Sequence, residues 1–332
     1  MTASFKYLYV LFITTLLPMV VLANNSHMPP ARKGSIISMG GSSCLRRLTS
    51  VPAISSTNGF LENRISTLET QAIWTKKFLA KREAVPHSAP YVVSIQLMTP
   101  NEGLVHYCAG TIINQHWILT AAHCLTNPQM VANSVIVAGC HDIHSRDESQ
   151  NVQLRHIDYY VRHELYLGGA NPYDIALIYT KEPLIFDKFV QSANLPEQDA
   201  MPDGYGTLYG WGNVSMTIVP KYPHKLQQAN MPILDLELCE QVLASSGMQL
   251  HETNLCTGPL TGGVSICTAD SGGPLIQNVD NGIYGEAIHT VIGIVSWGKM
   301  PCGQRNAPSV FVRVSAFTKW IQQVIATSTQ FE

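Results

Sequence analysis

From about residue 90 onward the chain is a series of short runs rich in β-branched and aromatic residues, separated by turn formers: YVVSIQLM, GTIIN, WILTA, SVIVAG, IALIYT, GTLYGWG, HTVIGIVSW and SVFVRV. Long helical stretches do not intervene, so the crossover helices that a parallel sheet needs are missing. Strands at this spacing pair with their neighbours in an antiparallel sandwich or barrel. Composition agrees: only 13% of residues are charged, and 24 Gly with 19 Pro supply more turns than a helical protein uses. The end of the chain differs. VSAFTKWIQQVIA places Phe317, Trp320, Ile321 and Ile325 on one face of an amphipathic helix. The expectation is an all-β fold closed by a C-terminal helix.

The first residues carry an address rather than a fold. Lys6 precedes an apolar run, Tyr7–Ala23, ending in Val21-Leu22-Ala23. Valine at −3 and alanine at −1 suit signal peptidase, so residues 1–23 read as a secretory signal cut after Ala23. The run contains Pro18 and is marginal for a bilayer span, and no other stretch is long and apolar enough, so no membrane association is expected after cleavage. Residues 24–77 are rich in Ser, Gly, Pro and Asn and read as a propeptide or linker, largely disordered, with one short amphipathic segment in FLENRISTLETQAIWTKK. Charge divides along the same line. Residues 24–82 hold nine basic and two acidic residues, a net of +7, whereas residues 83–332 carry −10. The whole chain, at −2, has no polybasic footprint for nucleic acid. Eight cysteines in a secreted chain imply disulfides, but eight allow about 105 connectivities, and the count alone leaves the pairing open.

Three segments supply groups for nucleophilic catalysis. A serine hydroxyl needs a general base, and that base needs a third group to fix its tautomer and stabilise its charge. WILTAAHCL offers His123, NPYDIALI offers Asp174 at the mouth of an apolar run, and CTADSGGPL offers Ser271. Singly each is commonplace. In the order His–Asp–Ser, with separations of 51 and 97 residues and with TAAHC and DSGGP intact, they are specific.

On these motifs residues 83–332 resemble the trypsin/chymotrypsin family of serine endopeptidases. The resemblance implies two six-stranded antiparallel β-barrels with the site between them, in a protease domain spanning 78–332. It implies that His123 is general base, Asp174 its orienting group and Ser271 the acylated nucleophile. Ser296 would hydrogen-bond the buried Asp174, and Trp297 with Gly298 would offer an edge to the substrate backbone. The N–H groups of Ala269 and Ser271 would form the oxyanion hole. Cys108–Cys124, Cys239–Cys256 and Cys267–Cys302 match family disulfides; Gly206 and Gln277 stand where a further common pair would be. Cys44 and Cys140 are left over, and their pairing is the expectation, with two free thiols as the alternative. Cys140, His141 and His144 in CHDIH are read as surface residues. Cys140 and Gln150 replace the end carboxylates of the family's calcium loop, so neither metal nor cofactor is expected.

The resemblance also frames specificity and activation. Ser265 falls at the pocket base, with Gly298 and Ser309 on its walls. A neutral base cannot pair a buried cation, which argues against cleavage after Arg or Lys. Medium-sized apolar or aromatic residues are expected instead. Ala269 stands where the family carries glycine; it keeps the N–H and adds a Cβ, at a strain on the order of 1–3 kcal/mol. The family's mature start aligns with Phe78-Leu79-Ala80-Lys81 after the dibasic Lys76-Lys77, so a new α-amino group at Phe78 is expected to pair with Asp270. The function read from all this is a secreted, monomeric serine endopeptidase made as a zymogen. Its partners would be protein or peptide substrates, an activating protease and inhibitors such as serpins. The alternative is a noncatalytic homologue that binds carbohydrate or protein. HSAPYVVSIQ is also similar to secreted fly midgut proteases, some described as lectin-like, and this suggests digestion. Asn213 in NVS is an expected glycosylation site.

Overall fold

The computed structural model describes residues 81–144, 152–244, 246–280 and 287–328. The signal, the 24–77 leader, Phe78, Cys44 and Gln150 lie outside them. Thirteen strands are described. A two-residue strand, β1 (Arg82–Glu83), precedes β2 (Val92–Thr99), β3 (Gly103–Ile112), β4 (Trp117–Thr120), β5 (Ser134–Ala138), β6 (Gln153–Arg162) and β7 (Ala176–Thr180). The second half holds β8 (Tyr205–Gly210), β9 (Gln227–Leu234), β10 (Asn254–Thr257), β11 (Pro274–Asp280), β12 (Ala287–Gly298) and β13 (Ser309–Arg313). Strands β2-β3-β4-β7-β6-β5 close one six-stranded antiparallel barrel. Strands β8-β9-β10-β13-β12-β11 close a second, and β1 adds to β9.

The apolar runs of the sequence become the barrel linings. Ile95, Ile118, Ile136 and Ile178, all fully buried, fill the first barrel. Leu208, Leu255, Leu275 and Phe311 fill the second. Closure supplies what the sequence left implicit. Strand β6 (QLRHIDYYVR) is mostly half-exposed and polar on its outer face, so it carries no apolar run of its own. It is held by pairing with β5 on one side and β7 on the other. Strands β9, β10 and β11 were hidden for a different reason, each being short or interrupted by Gln, Asn or Pro.

Three α-helices remain among the described residues: α1 (Pro128–Ala132), α2 (Leu236–Ala244) and α3 (Thr318–Ser328). The expected C-terminal helix is α3, preceded by a 3-10 turn over Val314–Phe317. Phe317 and Ile321 insert into the cluster that contains the first barrel's core, so the end of the chain seals the barrel made by its beginning. Among the described residues no helix is long and apolar enough to cross a membrane.

The three expected disulfides are present: Cys108–Cys124, Cys239–Cys256 and Cys267–Cys302. Cys140 carries a free thiol whose Sγ lies 3.0 Å from the Asp142 carbonyl oxygen. Burial pushes that thiol up to about 12, which keeps it protonated and unreactive at neutral pH. Among the described residues Cys140 has no cysteine partner, and Cys44, its expected partner, lies outside them.

Two histidines, His163 buried and His106 half-buried, make the fold sensitive to acid. His163 packs between the Tyr173 ring, centroids 5.0 Å apart, and the Phe317 and Trp320 rings of the C-terminal segment. Burial holds its pKa below the ordinary value, against the weaker opposing pull of Glu164. Burial does the same to His106, outweighing its contact with Ala269 and the charge of Asp270. A histidine whose pKa is lower folded than unfolded contributes stability that is complete above the unfolded value, 6.5, and is lost as pH falls from there toward the folded value. The thermal midpoint should therefore fall steadily between pH 7 and pH 5. A midpoint that is flat or rising across that interval would contradict this account.

Candidate active site

The site is assembled at the seam between the barrels. His123 lies in a 3-10 turn, Ala122–Leu125, that follows β4 directly and is stapled to β3 by Cys108–Cys124. Asp174 sits two residues before β7, which pairs with β4. Adjacent strands of one barrel thus deliver both residues. His123 donates its backbone N–H to Asp174 Oδ1 at 2.8 Å, and its Nδ1 lies 2.7 Å from Oδ2. A carboxylate only accepts, so Nδ1 carries the proton and neutral imidazole presents an unprotonated Nε2. From the other barrel, the Ser296 hydroxyl donates to Asp174 Oδ2 at 2.6 Å. The carboxylate is 1% exposed, so these donors replace the water it has lost; His123 remains 28% exposed.

Ser271 comes from the turn that precedes β11. Its carbonyl accepts from Ala109 N in β3 at 2.8 Å, and the next N–H, of Gly272, donates to the Val295 carbonyl in β12 at 3.0 Å. Ser271 is therefore clasped by both barrels through backbone alone. The clasp requires glycine. At Gly272, with φ +75°, a Cβ would run into Thr120 Oγ1 and the Ala109 carbonyl and come within 3.2 Å of Ala121 N. Thr120 and Ala121 are the residues just before the His123 turn. The serine turn thus packs closely against the residues that lead into the His123 turn.

Asp270, immediately before Ser271, is fully buried. Its carboxylate accepts from Gly212 N at 3.0 Å and Cys267 N at 2.9 Å, and Lys81 Nζ lies 3.0 and 2.7 Å from its two oxygens. The partner expected for this carboxylate was the α-amino group of Phe78, which lies outside the described residues. The cation present is the Lys81 side chain. In the sequence Lys81 is simply the fourth residue of the aligned start. Its signal in the sequence was a cation three residues beyond the aligned start.

Ala269 has φ +67°, the left-handed region expected of the family's glycine. Its carbonyl is held at 2.9 Å by His106 Nε2, and His106 Nδ1 lies 2.7 Å from Ser94 Oγ, which accepts from Gln96 Nε2 at 2.9 Å. Because a carbonyl only accepts, His106 is the Nε2–H tautomer. This buried relay, running from β2 to Ala269, was not found in the sequence; HYC, with a histidine two residues before the stapled cysteine, was its trace. Beside it opens a cleft of about 560 Å³ lined by His106, Tyr107, His144, Trp211, His224 and Ala269.

The pocket residues converge as well. Gly298 and Ser309 face each other in the β12–β13 register, Ser309 Oγ accepts from Ile266 N at 3.1 Å, and Ser265 Oγ accepts from Gly303 N at 2.8 Å. Ile266 was overlooked in the sequence. A Cβ at Gly298 would sit 3.3 Å from its side chain, so the two form one wall, apolar and narrow. Strand β11 pairs with β12 only as far as Ile294, so Ser296, Trp297 and Gly298 keep β13 on one side and no described strand on the other. Among the described residues the one His/Cys/Asp/Glu trio close enough for a metal is Cys108, His123 and Cys124, and both its sulfurs are spent in a disulfide. Asn213 is 4% exposed, and its side-chain oxygen accepts from Ser215 N and Lys221 N, both at 2.8 Å. That burial argues against glycan attachment there.

The family model named Trypsin matches residues 79–321. The chain belongs to the trypsin family. Its relatives include "Lectizyme" of Glossina austeni, 34% identical over 75% of this chain and 86% of that protein. "Trypsin-4" of Rattus norvegicus is 33% identical over 73% of this chain and 87% of its own. A "Snake venom serine protease homolog" of Bothrops jararacussu is 35% identical over 67% and 78%. Membership of the trypsin family supports serine peptidase chemistry acting on protein or peptide substrates.

The two left-handed residues of the trypsin-family serine turn predict opposite responses. Gly272→Ala forces a Cβ into backbone and should cost at least ~2 kcal/mol in denaturant unfolding. Ala269→Gly removes a strain of about 1–2 kcal/mol and loosens the unfolded chain by roughly 0.4–1 kcal/mol, so it should leave stability unchanged or slightly raised. A loss above about 1 kcal/mol for Ala269→Gly would refute the strain assignment.

Proposed function

We propose that this trypsin-family chain is a secreted serine endopeptidase that cleaves on the carboxyl side of apolar residues through an acyl-enzyme. The observation that carries the reading is the network on Asp174. Its carboxylate fixes Nδ1–H of His123 and leaves Nε2 as base beside the Ser271 turn. In the proposed reaction Ser271 Oγ attacks the substrate carbonyl carbon and its proton passes to His123 Nε2. Imidazolium, stabilised by Asp174, then gives that proton to the leaving amine. Water repeats the two transfers and frees the acid. The N–H groups of Ala269 and Ser271 are the donors for the oxyanion.

Residues 1–23 serve as the signal and 24–77 as a leader removed at Lys76-Lys77 by another protease, with 78–332 as the protease domain. The neutral pocket of Ser265, Ile266, Gly298 and Ser309 favours a medium-sized apolar side chain, Leu or Met before Phe or Tyr, because the Ile266 wall narrows it. Serpin-type inhibitors are the proposed regulators, a digestive role the proposed setting, and the monomer the proposed working form.

Fluorophosphonate should label Ser271 in the folded protein, the modified residue being located by mass spectrometry. His123→Ala should abolish labelling, and Asp174→Asn should lower turnover by roughly 10³–10⁴ through the wrong imidazole tautomer. In a peptide library, cleavage should follow apolar residues. Arg-selective cleavage would overturn the pocket assignment. Absence of labelling in folded protein, with or without the leader, would move the chain to the noncatalytic binding reading.

A further inference from the structure

Every oxyanion donor in the proposed mechanism hangs on Asp270, since Ala269 and Ser271 flank it. A carboxylate at 0% exposure needs a counter-charge to stay ionised and in place. In the intact chain that charge is already there. The Lys81 side chain is 9% exposed, its Nζ reaches both Asp270 oxygens, and its remaining direction faces the Gly212 carbonyl at 3.4 Å. An ammonium has three N–H donors and all three are directed at acceptors. The cavity is shaped for this pair. A Cβ on Gly210 or Gly212 would run into the Asp270 carboxylate. A second cation has no free oxygen to bind.

The backbone that carries Lys81 is fixed independently of any chain end. Arg82 and Glu83 pair in register with Gln228 and Gln227 of β9, and Ala84 N donates to the Leu226 carbonyl at 2.8 Å. Glu83 lies 3.2 Å from both His141 Nε2 and Lys225 Nζ. These contacts hold the segment entering from residue 81 without a cut upstream of it.

We propose that Lys81 is the positioning residue of this site, an internal ammonium that holds the Asp270–Ser271 turn in its working geometry, so that the uncut chain is catalytically competent. This rests on the endopeptidase reading above and departs from the zymogen expected from the sequence: cleavage after Lys77 trims the leader and does not switch on the enzyme.

The test uses the full chain with a specific protease site inserted before Phe78, cut or left uncut, its state verified by intact mass. Uncut protein should take fluorophosphonate at Ser271 at a rate within about twofold of the cut form. Lys81→Ala, uncut, should lose about 10²–10³ in kcat with KM little changed, since the lesion falls on the oxyanion donors. Propylammonium, which replaces the deleted atoms, should restore much of that loss at millimolar concentration, a rescue that a merely structural role would not show. Labelling of the cut form alone would overturn the proposal and leave the endopeptidase reading standing. Full activity of uncut Lys81→Ala would do the same. If that variant does not fold, the comparison of cut with uncut wild type decides. Folded protein that is unlabelled in both states would overturn both readings.

Discussion

One backbone hydrogen bond, from Ala109 N to the Ser271 carbonyl, ties the nucleophile's turn to the first barrel, and a second, from Gly272 N to the Val295 carbonyl, ties the same turn to the second. The base belongs to one barrel and the nucleophile to the other, so neither fold alone makes a site. Side-chain contacts across such a seam tolerate shifts of some tenths of an ångström. Backbone contacts tolerate much less, because no rotamer absorbs the change. The glycine at 272 is what permits the approach, since its φ is positive and a Cβ there would meet Thr120 and the Ala109 carbonyl.

Two buried carboxylates on either side of this seam are handled differently. Asp174 is met by an N–H, an imidazole N–H and a hydroxyl, a set able to stabilise a positive charge that appears on His123 during reaction. Asp270 is met by two backbone N–H groups and a permanent cation, a set that suits a charge meant never to change. Solvation by fixed dipoles suits a group that works; full neutralisation suits one that only holds.

What was legible in the sequence follows from how local the signal was. Short apolar runs announced β2, β4, β5, β7, β12 and β13, because burial on the barrel interior writes itself into consecutive residues. Strand β6 escaped, its outer face being polar and its existence dictated by neighbours. The motifs around His123, Asp174 and Ser271 were readable from residue type and order, and the meeting of His123 with Asp174 needed only adjacent strands. Lys81, His106 and Ile266 were not readable. Each acts on a group far away in the chain, Lys81 on a residue 189 positions on and His106 on one 163 positions on, and nothing in their own neighbourhoods marks the partner. Asn213 failed in the opposite way. The sequon is a surface pattern by habit, yet here the amide closes its own loop from inside.

An α-amino group inside a protein has to be manufactured by breaking a peptide bond, and its four leading residues must then suit a narrow channel. An ε-amino group at the same carboxylate is present as soon as the chain is translated. With Lys81 in that place, one side chain and the two glycines that leave room beside the carboxylate, Gly210 and Gly212, suffice to meet the charge of Asp270.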